Sequence, residues 1–198
     1  MFVMGIDPGL SRCGYGLVGL GAKAELRAVC AGVIETDPEA PLAERLLIVH
    51  RELRALLFEH RPQAVAVERV FFQVNARTAM SVGQASGLAL VAAAELGCEV
   101  AQYTSNEVKQ ALVGYGGATK AQVQKMVAQV LSLSEVPHPP DVADALALAA
   151  CHLTSRPLAR AVAAASARAD VETTGPGKPG AGLARALARA DEKARSAR

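Results

Sequence analysis

Apolar residues fall into short unbroken runs in some parts of this chain and into spaced stripes in others, and the two patterns predict different elements. Phe2 to Ile6 and Ala64 to Val67 are almost wholly apolar, as strands buried on both faces are. Cys13 to Val18 predicts a second strand, and the turn Pro8-Gly9-Leu10-Ser11 before it is so short that the pair must be an antiparallel hairpin. A third strand is predicted over Leu26 to Glu35, broken by Asp37-Pro38-Glu39-Ala40-Pro41. Leu42, Leu46, Val49, Leu53 and Leu57 then recur at helical spacing and predict a helix over 42–59. A long helix over 75–96 and a short strand over 99–103 follow the strand at 64–68. Helices near 105–112, 120–132 and 140–154 complete the set, with Gly114-Tyr115-Gly116-Gly117 between the first two. Three antiparallel strands followed by helix, strand, helix and strand predict an α/β fold with a mixed five-stranded sheet flanked by helices.

The 198 residues, 51% hydrophobic, suffice for one well-buried domain. The boundary falls at 155/156: from Pro157 onward the character changes to Ala, Arg, Gly and Pro, which cannot build a core, so 156–198 is expected to be a basic flexible tail. A basic arm for DNA or a partner and a dispensable tail are both open readings of it. Charge divides the same way. Residues 1–155 hold 12 Lys+Arg and 15 Asp+Glu, residues 156–198 hold 9 and 4, so the net +2 comes from the tail. A polyanion would have to be held locally, by Arg69, Arg77, Lys109, Lys120 and Lys125 together with bound metal. Cys13, Cys30, Cys98 and Cys151 show no paired spacing, and neither a signal segment nor an uninterrupted membrane span is present. The expectation is a cytoplasmic protein with reduced thiols and no membrane partner.

Candidate chemistry lies in four acids. Asp7 ends the first strand and Glu68 the fourth, 61 positions apart; if those strands are parallel neighbours, both carboxylates lie on the edge where open α/β sheets place ligands. Asp141 and Asp144 open the last helix after Pro139-Pro140, three apart and so on one face, near the positive end of the helix dipole. Taken singly, each of these is more often a turn former or a cap. Jointly, carboxylates on separate elements flanked by apolar runs predict a metal site, and hard oxygen ligands suit magnesium or manganese better than zinc. Four carboxylates carry enough charge for two such ions beside a phosphate, the arrangement of a metal-dependent phosphodiesterase.

Gly5-Ile6-Asp7-Pro8-Gly9 with Gly14-Tyr15-Gly16, then Val67-Glu68-Arg69-Val70-Phe71, Val108-Lys109-Gln110, and Asp141-Val142-Ala143-Asp144-Ala145-Leu146-Ala147 together resemble the bacterial Holliday-junction resolvase RuvC family. The resemblance covers about residues 1–155 and leaves out the tail. It implies a ribonuclease-H-like fold, a homodimer, and paired magnesium-dependent cuts in strands of like polarity across a four-way DNA junction during recombination and repair. It also implies that Asp7, Glu68, Asp141 and Asp144 are the catalytic, metal-binding acids. Lys109 and Lys120 are expected near the scissile phosphate or junction backbone, Phe71 is expected to stack on a base at the branch point, and the branch-migration complex RuvA-RuvB is the implied partner.

Two cuts need two active sites, which a symmetric dimer supplies. The helix carrying Gly83 and Gly87 is either its interface or packs closely on the protein's own sheet. Three rival classes remain: an ATP-binding module of the actin and chaperone type, which needs a second phosphate loop that this chain is too short for; a nuclease of the same fold acting on other nucleic acid; and a junction-binding protein without catalysis.

Overall fold

The computed structural model describes residues 1–21, 25–69 and 76–155, with side chains from 79 onward in the last segment. Five strands, β1 (Phe2–Asp7), β2 (Arg12–Leu20), β3 (Leu26–Glu35), β4 (Ala64–Glu68) and β5 (Glu99–Tyr103), form one sheet in the order β3-β2-β1-β4-β5. The pairings β1–β2 and β2–β3 are antiparallel, and β1–β4 and β4–β5 are parallel. Helices α1 (Leu42–His60), α2 (Ala76–Glu95), α3 (Ser105–Val113) and α4 (Lys120–Val130) match the predicted spans to within two residues at each end, and a fifth, α5, is helical over 140–155. Strand β2 is longer than its apolar run predicts: pairing with Phe2, Leu26 and Glu35 extends it to Leu20 and back to Arg12. All four cysteines are free thiols, and among the described residues no helix is long and apolar enough to cross a membrane.

Alternation along the central strands sends side chains to two cores. Met4, Ile6, Val65 and Val67 pack with Val49, Leu53 and Leu57 of α1 and with Ala89, Ala92 and Ala93 of α2. Val3, Ala64 and Ala66 face the other way, onto Val108 and Leu112 of α3, Val123 and Val127 of α4, and Leu146 to Ala150 of α5. Each fully buried Leu or Val contributes about 1.5–3 kcal/mol.

The buried face of α2 is made by Ala85, Ser86, Ala89, Ala92 and Ala93. A Cβ at Gly83 or Gly87 would meet nothing within 4 Å, so these two glycines do not serve close packing on the protein's own sheet. The predicted tail, 156–198, and Phe71 lie outside the described residues, as does the side chain of Arg77.

Candidate active site at the carboxyl ends of β1 and β4

The alternation that builds the two cores also aims the acids. Counting by two from Val3 through Gly5 places Asp7 on the α5 side of β1, and counting from Ala64 through Ala66 places Glu68 on the same side of β4. The strands are parallel and pair Ile6 with Val67, so the two carboxylates stand side by side one step further on.

Glycines let the last helix come down onto this edge. A Cβ on Gly5 would run into the carbonyl oxygen of Ala145, and one on Gly14 into the carbonyl oxygen of Asp141. Gly14 is also the ladder partner of Asp7. Two missing side chains therefore bring the first turns of α5 against β1 and β2, and with them Asp141 and Asp144. The N-termini of α3 and α4 are set by capping boxes: Thr104 accepts from the Glu107 backbone N–H at 3.1 Å while the Glu107 carboxylate accepts from the Thr104 N–H, and Thr119 and Gln122 do the same. These caps, each worth about 1 kcal/mol, hold Ser105 and Lys120 at the mouth of the site.

The result is a cleft of about 450 Å³ whose polar lining is Asp7, Glu68, Asp144, Ser105, Lys109 and Lys120. Burial pushes the Asp7 carboxyl up to about 8, with the charges of Glu68, Asp144 and Asp141 and a hydrogen bond to Glu68 adding to it. Glu68 is also raised, again chiefly by burial, while the Asp7 hydrogen bond and Lys120 pull it down. Both carboxyls are thus held above their ordinary range, mainly by burial, with a hydrogen bond between them. Lys120 Nζ lies 2.6 Å from Asp144 Oδ2. Burial lowers the lysine, but its hydrogen bond to Asp144 and the charges of Asp144, Asp7 and Asp141 outweigh that and hold it above its ordinary range.

Asp141 is placed differently from the other three acids. Its side chain is outside the cleft lining, and its Oδ2 accepts from Arg12 Nε at 3.1 Å. Two of the four acids are thus held by cations of the protein itself, and among the described residues no three acidic, His or Cys groups converge as a ready ligand set. The donor chemistry nonetheless suits a hard divalent cation: Asp7, Glu68 and Asp144 line one cleft with Asp141 at its rim, and the charges of the other three add to the burial that raises the Asp7 carboxyl. Arg69 is exposed beside β5, its Nη2 donating to the Gln102 carbonyl at 3.3 Å, and Lys125 is exposed on α4; neither lines the cleft. Arg12 was not among the sequence candidates because the apolar run of β2 begins after it. Strand alternation back from Gly16 and Gly14 puts it on the α5 face, and that is the signal that finds it.

Residues 3–152 match the family model of the crossover junction endodeoxyribonuclease RuvC. The chain belongs to the RuvC family. A crossover junction endodeoxyribonuclease RuvC of Salinispora arenicola (strain CNS-205) is 50% identical over 169 residues, covering 85% of this chain and 97% of that protein. The RuvC structure from Thermus thermophilus matches with a TM-score of 0.74 at 41% identity, over 80% of this chain and 97% of that one. The T. thermophilus RuvC solved in complex with a Holliday junction substrate matches with a TM-score of 0.73 at 39% identity, over 80% of this chain and 96% of that one. The fold is thus ribonuclease-H-like, and membership of the RuvC family makes the chain an endodeoxyribonuclease, which disposes of the ATP-binding alternative.

Proposed function

We propose that this protein resolves four-way DNA junctions by paired, symmetric, magnesium-dependent cuts in strands of like polarity. The observation that carries the reading is the meeting of Asp7, Glu68 and Asp144 in one cleft with Lys109 and Lys120, and Asp141 at its rim. Asp7, whose carboxyl feels the charges of the other three acids, would hold the ions together with Glu68, Asp141 and Asp144. Bound magnesium, for which manganese can substitute, would lower the pKa of an attacking water and stabilise the leaving oxygen. Lys109 and Lys120 face the same space and suit phosphate oxygens as point charges. Lys120 would exchange Asp144 for phosphate as substrate enters. Arg69, Arg77 and Lys125 are proposed to hold the backbone further from the cut, and Phe71 to stack on a base at the branch point.

Two cuts ask for two sites, and a homodimer supplies them. The exposed face of α2 at Gly83 and Gly87 suits close approach by a second copy. The junction-bound T. thermophilus relative supports a four-way junction as substrate. Family membership supports RuvA-RuvB as partner and the cytoplasm as the place of action.

The test is incubation with a synthetic four-way junction and with linear duplex of the same sequence, in magnesium and in chelator, mapping cuts on every strand. Symmetric magnesium-dependent cuts confined to the junction are expected. Cutting of both substrates indicates a general nuclease, and junction binding without cutting indicates a structural protein.

A further inference from the structure

Arg12 opens β2 on the face turned to α5, and its guanidinium joins carboxylates from two other elements. Nη1 lies 2.6 Å from Glu35 Oε1 on β3, and Nε lies 3.1 Å from Asp141 Oδ2 at the start of α5. Arg12 and Glu35 are ladder partners across β2–β3, so Glu35 steadies the arginine from the sheet while Nε reaches the helix. The turn before it is locked as well. Arg45 of α1 donates to Ser11 Oγ at 2.6 Å and to Thr36 Oγ1 at 3.0 Å, and buried Thr36 donates to the Leu10 carbonyl at 2.6 Å. Arg12 therefore stands on a braced turn, not on a free loop.

An exposed ion pair is ordinarily weak. This one differs because the Asp141 side chain is only 27% exposed and its charge is felt by Asp7. A planar guanidinium can serve two carboxylates at once. We propose that Arg12 is a positioning residue that serves as resident counter-ion of the acidic site: it holds Asp141 at the rim in the metal-free protein and raises the divalent-ion concentration needed to recruit that carboxylate. The proposal rests on the metal-dependent reading above. Glu35 moderates the effect, because the charge it takes from Arg12 is withheld from Asp141.

The test is Mn2+ binding to the DNA-free protein, with free ion followed by electron paramagnetic resonance, in wild type and in Arg12→Gln, Arg12→Lys, Glu35→Gln and Asp141→Asn. Removing one positive charge beside a divalent site is expected to tighten binding about threefold to tenfold in Arg12→Gln. Arg12→Lys, which keeps the charge, is expected to bind like wild type, and Glu35→Gln to bind more weakly because the whole guanidinium then falls to Asp141. Unchanged or weaker binding in Arg12→Gln overturns the proposal, as does tightening in Arg12→Lys. If Arg12→Gln loses its cooperative melt, Glu35→Gln decides alone, and affinity equal to wild type there overturns it. A wild type that takes up no Mn2+, or an Asp141→Asn protein that binds as tightly as wild type, removes the metal-site reading itself.

Discussion

The backbone of Asp141 rests on Gly14, the residue that faces Asp7 across the β1–β2 ladder. A Cβ there would meet the Asp141 carbonyl and stand 3.1 Å from the Asp141 Cβ, so the helix must back away. Gly14→Ala is expected to cost about 1–3 kcal/mol of stability and to lower junction cleavage out of proportion to the fraction unfolded. Thermal melts and cleavage rates on the same preparation check this, and an active, unshifted Gly14→Ala protein contradicts it.

Asp7→Asn removes a charge at nearly constant shape from the most crowded position among the acids. Cleavage is expected to fall to background while junction binding in chelator is retained. Strand-resolved gels and mobility shifts measure the two separately; loss of binding counts against the assignment.

The raised Asp7 carboxyl makes the metal-free fold sensitive to pH. Its folded pKa of about 8 lies above the ordinary 3.8, so the folded state binds the proton more tightly than the unfolded state. The stability this proton contributes is fully present below about pH 4 and is lost as pH rises through 8; Glu68, also raised, acts in the same sense. In chelator, the wild-type Tm attributable to this pair should fall between pH 6 and 8.5. Asp7→Asn should melt higher than wild type at pH 8.5, by about 2–6 °C for a domain of this size. A pH-independent difference between the two proteins would show that Asp7 is not the titrating group.

Lys120 and Lys125 are one turn and a half apart on α4, yet only Lys120 lines the cleft. Losing a charge-assisted hydrogen bond to phosphate costs about 1.5–3 kcal/mol, so Lys120→Ala should cut junctions about 10- to 100-fold more slowly. Lys125→Ala, which removes only a backbone contact further from the cut, should slow cutting by no more than about fivefold. Single-turnover rates on one junction substrate make the comparison.

Among the described residues the core clusters end at Leu153. Truncation after Arg156 is therefore expected to leave a folded, cutting enzyme. A truncated protein that folds but does not cut would assign the tail a role in catalysis.

Much of this architecture is legible in the sequence. The run from Phe2 to Ile6, the run from Ala64 to Val67 and the leucine spacing of α1 each carry their own period, and a period of 2 or 3.6 is a local property that needs no distant partner. The same periods, with the parallel order, bring Asp7 and Glu68 to one sheet edge. The ordered motifs pointed to the family.

Other features came only with the tertiary structure. The open face at Gly83 and Gly87 follows from how α2 is rotated on the sheet, because Ala85, Ser86, Ala89, Ala92 and Ala93 make its buried side. Arg12 and Asp141 are 129 positions apart, and the bond between them exists only because Gly14 admits the helix backbone. Local periodicity determined which way Asp7 and Glu68 point. Long-range packing decided which cations hold Asp141 and Asp144, since a charge's partner depends on distance in space and not on spacing in sequence.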